Sequence, residues 1–239
     1  MSDLYRLVFD PAQQSIDTIT LTKEQEHYLR RVLRLQNGDR FIAMNGRGIS
    51  WITELKAEKA QLLKIIASTT ELTVNLTLIT ALPKSNGYEQ ILRCGTELGV
   101  SQFIPVFSDR SLLKPSSNKV QRWRKIITEA AEQAERAIVP QIVEPLPFSK
   151  AISELLTLKS DRYICVARGK SPLLWTCLQS SLQSEIVVAT GAEGGWTEKE
   201  VEIARQYQFK AVSLGKSILR AVTAPITVAT LVNAVSIEK

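Results

Sequence analysis

The chain has 239 residues, 44% hydrophobic and 23% charged, which is the balance of an ordinary globular protein long enough for one large domain or two smaller ones. Its 30 lysines and arginines exceed its 24 aspartates and glutamates, and the net charge of +6 fits an anionic partner such as nucleic acid and equally fits plain solubility. Three cysteines without a C-x-x-C pair argue against a disulfide framework or a zinc site. The single histidine, His27, argues against most Ser-His-Asp, Cys-His and His-metal chemistries unless His27 itself takes part.

No targeting or membrane segment is predicted. The chain begins MSDLYRLVFD, without a basic stretch that leads into a long apolar one, so a signal peptide is not expected. The most apolar late stretch, TAPITVATLVNAV, is too short and too rich in threonine to span a bilayer. We therefore expect a soluble, cytoplasmic protein.

The first 72 residues are predicted to form a small β-rich domain with one helix. Thr22 and Gln25 have the spacing of a capping box, which predicts a helix over KEQEHYLRRVLRL that ends before Asn37-Gly38. The apolar residues of this helix would form one buried stripe, made of Leu29, Val32 and Leu33.

A hairpin follows the predicted helix. The apolar runs RFIAM and ISWITEL flank Asn45-Gly46, a dipeptide that suits a two-residue type I′ turn. AQLLKIIAS supplies a further strand. Short strands with one helix favour a compact β-barrel over an independent enzyme core.

The pattern changes from residue 73 to the end of the chain. Helical stretches separate five apolar runs, LTLITAL, FIPVF, RYICVA, EIVVAT and AVSLG. Alternation of this kind is typical of a mostly parallel sheet that helices cover on both faces. Residues 73–239 are therefore predicted to form an α/β domain.

A glycine-rich corner follows the run EIVVAT. Gly191, Gly194 and Gly195 lie within five residues, and small residues let backbone N–H groups approach a ligand. The spacing G-x-x-G-G is neither that of a dinucleotide fingerprint nor that of a phosphate-binding P-loop. Thr197 and Glu200 form a second predicted capping box, so a helix should start directly after the corner.

A second corner lies in AVSLGKSILRAVTAPI. Gly215 should end a strand, and a helix should begin near Thr223 with Pro225 in its first turn, where the missing N–H costs little. Ligands bind open α/β sheets beyond the carboxyl ends of strands. Each glycine alone would be a simple turn, but two glycine-bearing strand ends together favour a shared pocket.

These paired corners resemble motifs of a known family. ATGAEGGWTEKEVE followed by VSLGKSILRAVTA resembles the C-terminal motifs of the SPOUT-class RNA methyltransferases, and most closely those of the ribosomal RNA small subunit methyltransferase E family. Three further stretches agree in order along the chain: HYLRRVLRLQNGD, ALPKSNGYEQILRCGTELGVSQFIPVFSDRS and RWRKIITEAAEQAERAIVPQI.

The resemblance implies a fold and an activity. Residues 1–72 would be a PUA-like β-barrel that helps to hold RNA, and residues 73–239 a SPOUT methyltransferase domain with a C-terminal trefoil knot that binds S-adenosylmethionine. Members act as homodimers and methylate N3 of a uridine in 16S ribosomal RNA. The implied partner is this RNA, on the assembled small ribosomal subunit, with no metal and no membrane.

The resemblance also implies residues for the cofactor pocket. Backbone groups there would bond the adenine edge while apolar side chains pack on its faces. The two corners and one preceding strand end would supply them: Ala167, Thr190, Gly191, Glu193, Gly194, Gly195, Leu214, Gly215, Ile218, Leu219, Arg220 and Thr223.

Two residues are candidates for the chemistry. In-line methyl transfer depends mostly on positioning, but the proton on uridine N3 must leave. Arg220 is the candidate for electrostatic stabilisation of the uridine anion. Glu193 could accept the proton, or it could instead hold its loop through backbone N–H groups.

RNA contact would fall to basic residues in both domains, and binding should weaken as salt rises. The candidates are Arg30, Arg31, Arg34, Lys84, Arg110, Arg122, Arg124 and Arg136. Arg136 is included because TEAAEQAERA would place Glu129, Gln133 and Arg136 along one helix face, which would face either the active site, the reading that we favour, or water.

The sequence departs from the family at three positions. Ala192 replaces a proline of the first corner, Val222 replaces an acidic residue of the second, and Glu135 replaces a glycine. Val222 supports one alternative, an RNA-binding or ribosome-assembly protein that retains the fold without methyl transfer. An unrelated nucleotide-binding α/β enzyme is disfavoured by the missing phosphate loop.

Overall fold

The computed structural model of the chain describes residues 4–67, 70–84, 86–111, 115–155, 159–180 and 183–238. The chain forms two compact units: Met1–Glu71 with Ala131–Val139, and Leu72–Ala130 with Pro140–Lys239. A single predicted boundary at residue 72 does not account for residues 131–139, which belong to the first unit although they are distant from it in sequence.

The first unit contains a five-stranded sheet. Its strands lie in the order β1-β3-β4-β5-β2, with β1 parallel to β3 and the other neighbours antiparallel. Their bounds are β1 (Arg6–Val8), β2 (Thr18–Thr20), β3 (Arg40–Met44), β4 (Ser50–Lys56) and β5 (Lys59–Ile66). Leu29, Phe41 and Leu55 are fully buried in the core of this unit.

The helix of the first unit starts where the sequence predicts and ends earlier. Helix α1 (Lys23–His27) has the predicted capping box, in which Thr22 Oγ1 accepts from the Gln25 N–H at 3.2 Å and Gln25 Oε1 accepts from the Thr22 N–H at 2.9 Å. A π-helical turn over Tyr28–Val32 continues α1, and Arg34 then takes a φ of +59°. The predicted end at Asn37-Gly38 is therefore wrong.

The π-helical turn also changes the buried face. A π turn holds more residues than an α turn, so it rotates the side chains that follow it. Leu29 is fully buried and Leu33 packs on the core, but Val32 is 59% exposed. The predicted stripe is thus wrong at Val32.

The predicted hairpin between β3 and β4 is confirmed, but its turn is longer than predicted. The Asn45 N–H donates to Ile49 O at 3.0 Å, and Asn45 Oδ1 accepts from the N–H groups of Arg47 and Ile49. The loop also bonds the returning segment, since the Gly48 N–H donates to Ala137 O at 3.0 Å.

Arg136 lies in the returning segment and is a structural residue. It is 3% exposed, and its guanidinium pairs with the Glu71 carboxylate, at 2.8 Å from Nη2 to Oε2. The preceding helix ends at Gln133, so Glu129, Gln133 and Arg136 do not form a helical stripe. The predicted RNA contact through Arg136 is wrong, because burial in this ion pair removes the side chain from solvent.

Glu135, where the family resemblance implies a glycine, has a left-handed backbone conformation that glycine adopts readily. Its φ is +60°, in the left-handed region, and its carboxylate pairs with Arg6 Nη2 at 2.5 Å. A non-glycine residue with this φ costs about 1 kcal/mol. The ion pair compensates little, because the Glu135 side chain is half exposed.

We expect Glu135→Gly to be more stable than Glu135→Ala by about 1 kcal/mol. Both substitutions remove the ion pair with Arg6, so the difference between the two variants reports the relief of backbone strain less the larger conformational entropy that glycine loses on folding. Chemical denaturation of both proteins measures this difference. Equal stabilities would show that the strain at residue 135 does not exceed that entropy cost.

The second unit is built on a seven-stranded sheet. Its strands lie in the order β12-β10-β11-β6-β7-β8, β9 also pairs with β7, and each of these pairings is parallel. The strands are β6 (Asn75–Ala81), β7 (Val100–Phe107), β8 (Gln141–Ile142), β9 (Leu146–Pro147), β10 (Asp161–Cys165), β11 (Glu185–Thr190) and β12 (Lys210–Val212). The helices are α2 (Gly87–Glu97), α3 (Ser117–Gln133), α4 (Phe148–Glu154), α5 (Leu174–Ser180), α6 (Glu198–Gln206) and α7 (Thr223–Ile237).

Helices cover both faces of this sheet, as predicted. Ile79 and Ala81 of β6 pack in one cluster with Phe148 of α4 and Ala204 of α6. The residues of the opposite face, such as Leu78, are also fully buried, and α7 packs on β6 and β11. The predicted α/β fold class is confirmed, whereas the trefoil knot stays a prediction.

Neither a membrane span nor a metal cluster is found in the described part of the chain. No helix within those ranges has the length and apolarity to cross a bilayer. The same residues include no group of three or more His, Cys, Asp or Glu side chains placed to hold a metal ion.

Candidate cofactor cleft

The loops that follow β10, β11 and β12 enclose a cleft of about 930 Å³ in the second unit. The three strands are neighbours in a parallel sheet, so their carboxyl ends lie at one edge, where α/β proteins bind ligands. The cleft is lined by the segment 165–171, the corner around Gly191–Trp196, the stretch from Ser213 to Ala224, and one face of α6.

Most of the predicted cofactor residues lie in the wall of this cleft. The lining ones are Ala167, Gly191, Gly194, Gly195, Leu214, Gly215 and Leu219. Ile218, Arg220 and Thr223 are exposed and do not line it, although their neighbours Leu219 and Ala221 do.

Thr190 points away from the cleft. Its side chain is fully buried, and its hydroxyl donates to Ile79 O of the neighbouring strand at 3.4 Å. The last residue of β11 therefore fixes the strand that carries the glycine corner, and only its backbone can reach a ligand.

The glycine corner requires the absence of side chains at specific positions. A Cβ on Gly191 would lie 3.0 Å from Gly195 Cα and 3.3 Å from Trp196 N, both backbone atoms. Gly195 has a φ of +67° and its N–H donates to Ala192 O at 2.8 Å. A Cβ on Gly195 or Gly215 would meet no atom within 4 Å, so a ligand can approach the backbone at both corners.

The helix behind the corner is anchored by its predicted capping box, which is confirmed. Thr197 Oγ1 accepts from the Glu200 N–H at 3.2 Å, and Glu200 Oε2 accepts from the Thr197 N–H at 2.8 Å. Glu200 is only 5% exposed. Trp196 stacks on Phe148 with ring centroids 4.4 Å apart, which fixes the entry of the chain into α6.

Glu193 holds the corner through the backbone, as one of its two predicted roles required. Its Oε1 accepts from the Lys84 N–H at 3.0 Å, and Lys84 follows the neighbouring strand β6. The carboxylate therefore ties two strand ends together. The role of Glu193 as a proton acceptor stays a prediction.

The residues predicted from the sequence include neither the face of α6 that lines the cleft nor, apart from Ala167, the segment 165–171. Arg168 and Lys170 of this segment line the cleft together with Lys199 and Arg205 of α6. The sequence feature that could have identified the segment 165–171 is the run RGK, which directly follows the apolar strand RYICVA. Burial raises the pKa of the Cys165 thiol in this wall to about 12, so the thiol is neutral at physiological pH.

Several predicted RNA-contact residues are already engaged in ion pairs or hydrogen bonds. Arg30 pairs with Glu26 at 3.2 Å and also bonds Asn37 Oδ1 and the Ala57 carbonyl. Two others are Arg122, paired with Glu89 at 3.0 Å, and Arg124, paired with Glu144 at 2.6 Å. Arg31, Arg34 and Lys84 are exposed, and Arg110 lies in the cleft.

Comparison with known proteins identifies both parts of the chain. Residues 70–233 match the RNA methyltransferase domain family, and residues 21–67 match the RNA methyltransferase PUA domain family. The PUA-like assignment of the first unit is thereby confirmed.

Relatives named Ribosomal RNA small subunit methyltransferase E match nearly the whole chain. The Synechocystis protein is 47% identical over 234 residues, which cover 96% of this chain and 77% of that protein. The Bacillus subtilis protein is 30% identical over 241 residues and 93% of each chain. The solved structure of the Neisseria gonorrhoeae protein, bound to S-adenosyl methionine, superposes with a TM-score of 0.87 at 26% identity and covers 97% of each chain. The chain therefore belongs to the ribosomal RNA small subunit methyltransferase E family.

Proposed function

We propose that the chain transfers the methyl group of S-adenosylmethionine to N3 of a uridine in 16S ribosomal RNA. The observation that carries the proposal is the cleft, which is lined by both motifs of the family at the carboxyl edge of a parallel sheet. The proposal includes the assembled small ribosomal subunit as the substrate, a homodimer with a C-terminal knot, and the cytoplasm as the location.

The residues of the cleft fit this cofactor. Gly195 and Gly215 leave the backbone open to a ring, and Leu214 and Leu219 supply apolar walls. Arg168, Lys170 and Lys199 suit a carboxylate, whereas Arg205 pairs with Glu202 at 3.4 Å. When bound, the cofactor supplies an electrophilic methyl group on its sulfonium.

The catalytic residues of the proposal are Arg220 and Glu193. The exposed Arg220 would stabilise negative charge on a uridine carbonyl oxygen as the N3 proton leaves. Glu193 Oε1 is occupied by the Lys84 N–H, so the other carboxylate oxygen would take that proton. Thr190, Ile218 and Thr223 would contribute through their backbone or at the rim.

One observation favours the non-catalytic alternative. Val222, at the position of the family's acidic residue, packs against α2, since a Cβ built on Gly87 would lie 2.7 Å from Val222 Cγ2. The side chain therefore has a packing role and no carboxylate chemistry.

An assay of methyl transfer from labelled S-adenosylmethionine distinguishes the proposed methyltransferase from the RNA-binding alternative. We expect 3-methyluridine in the 16S RNA of small subunits from a strain that lacks this methylation, and less in naked RNA. Cofactor binding by calorimetry without any 3-methyluridine would support the RNA-binding alternative. Absence of cofactor binding would refute the proposed methyl transfer.

A further inference from the structure

Arg110, which the sequence places among RNA-binding candidates, contacts the glycine corner of the cleft. It lies in the loop after β7, and its Nη1 donates to Gly194 O at 2.5 Å and to Trp196 O at 3.3 Å. Its aliphatic stem packs on Gly194, where a Cβ would lie 3.0 Å from Arg110 Cδ and 3.2 Å from Arg110 Cβ. The guanidinium and the stem thus both hold residues 194–196.

The same loop is tied to the start of α6. The Asp109 N–H donates to Glu200 Oε1 at 2.9 Å, and the Thr197 hydroxyl lies 3.1 Å from Asp109 Oδ2. The loop also closes on itself, because the Ser108 N–H donates to Ser111 Oγ at 3.2 Å. Arg110 therefore projects from a fixed base.

The corner needs such a support. Glycines lose more conformational entropy than other residues when they are ordered, and three of them lie within five residues here. Gly195, between the two carbonyls that Arg110 binds, has the left-handed φ of +67°. Both bonds come from the single Nη1 atom, and a charged donor binds carbonyl groups more firmly than a neutral one.

We propose that Arg110 is a positioning residue for the methyl donor: its guanidinium fixes the peptide planes of residues 194–196 and so preorganises the cleft. The identity of the ligand rests on the proposed function, but the contact itself does not. A preorganised loop raises affinity because less ordering remains to be done on binding.

The test compares Arg110→Gln and Arg110→Lys with the wild type. We expect Arg110→Gln to weaken S-adenosylmethionine binding about tenfold in calorimetry and to raise the KM for the cofactor with little change in kcat. Arg110→Lys should restore part of the affinity. Arg93→Gln, which removes an exposed arginine of α2 outside the cleft, is the matched control and should change neither quantity.

Two further measurements test the positioning role of Arg110. Amide hydrogen exchange of residues 191–197 in the ligand-free protein should be faster in Arg110→Gln, whether or not the cofactor is the one proposed. Unchanged exchange would refute the positioning role even if methyl transfer fails. A loss of naked-RNA affinity with a salt slope reduced by about 1, at unchanged cofactor affinity, would instead show that Arg110 contacts RNA.

Discussion

Gly191→Ala is expected to weaken S-adenosylmethionine binding by about 10- to 100-fold while the chain stays folded. The added Cβ would lie 3.0 Å from Gly195 Cα and 3.1 Å from Gly195 C. Backbone atoms cannot rotate away as a side chain can, so the corner itself must shift. Overpacking of this kind costs about 1–3 kcal/mol, and the shift falls on the wall of the cleft.

Calorimetric titration with the cofactor measures this effect, and thermal unfolding shows that the variant is folded. Gly38→Ala is a suitable control, because Gly38 lies in the first unit and a Cβ there would meet no atom within 4 Å. It carries the ordinary cost of alanine at a positive φ without touching the cleft. Wild-type affinity in Gly191→Ala would mean that the first corner is not the wall of the cofactor site.

Local contacts made much of the fold predictable. Both capping boxes join residues three apart, so Thr22 with Gln25 and Thr197 with Glu200 are visible in the sequence itself. The alternation of apolar runs and helices likewise indicated the parallel sheet. Helix starts and strand periodicity depend on neighbours along the chain, and these were correct.

The errors at the end of the first helix and at Val32 come from a local π-helical turn, whereas two other features of the first unit involve residues far apart in sequence. The turn after β3 is longer than its Asn-Gly pair suggests, and its Gly48 N–H donates to Ala137 O. The buried Arg136 donates hydrogen bonds from its guanidinium to the carboxylate of Glu71, 65 residues earlier in the chain. No short-range pattern contains either partner.

The candidate site shows the same division. The glycines are marked in the sequence, because only residues without a side chain fit the corner. No sequence pattern identifies the residues that hold the corner. Lys84 and Arg110 reach the corner because β11, β6 and β7 are consecutive in the sheet. The strand order β12-β10-β11-β6-β7 had to be known before these residues could be assigned to the site.

Arg220→Ala is expected to reduce methyl transfer by about 10²-fold and to leave cofactor affinity within about twofold of the wild type. The Arg220 side chain is exposed and does not line the cleft, whereas its neighbours Leu219 and Ala221 do. Its backbone carbonyl accepts from the Ala224 N–H at 3.0 Å at the start of α7, and the substitution preserves this bond. The loss should therefore fall on the step in which uridine becomes negatively charged.

Single-turnover transfer to small subunits, with calorimetry for the cofactor, separates this role from cofactor binding. Lys216→Ala removes an exposed cation from the same loop outside the cleft lining, so it should preserve both quantities. Arg220→Lys keeps the charge without the planar fork, and its rate shows whether charge alone suffices. An equal loss of transfer and of cofactor affinity in Arg220→Ala would contradict the catalytic role, because a residue that acts on the uridine anion contributes only after the cofactor has bound.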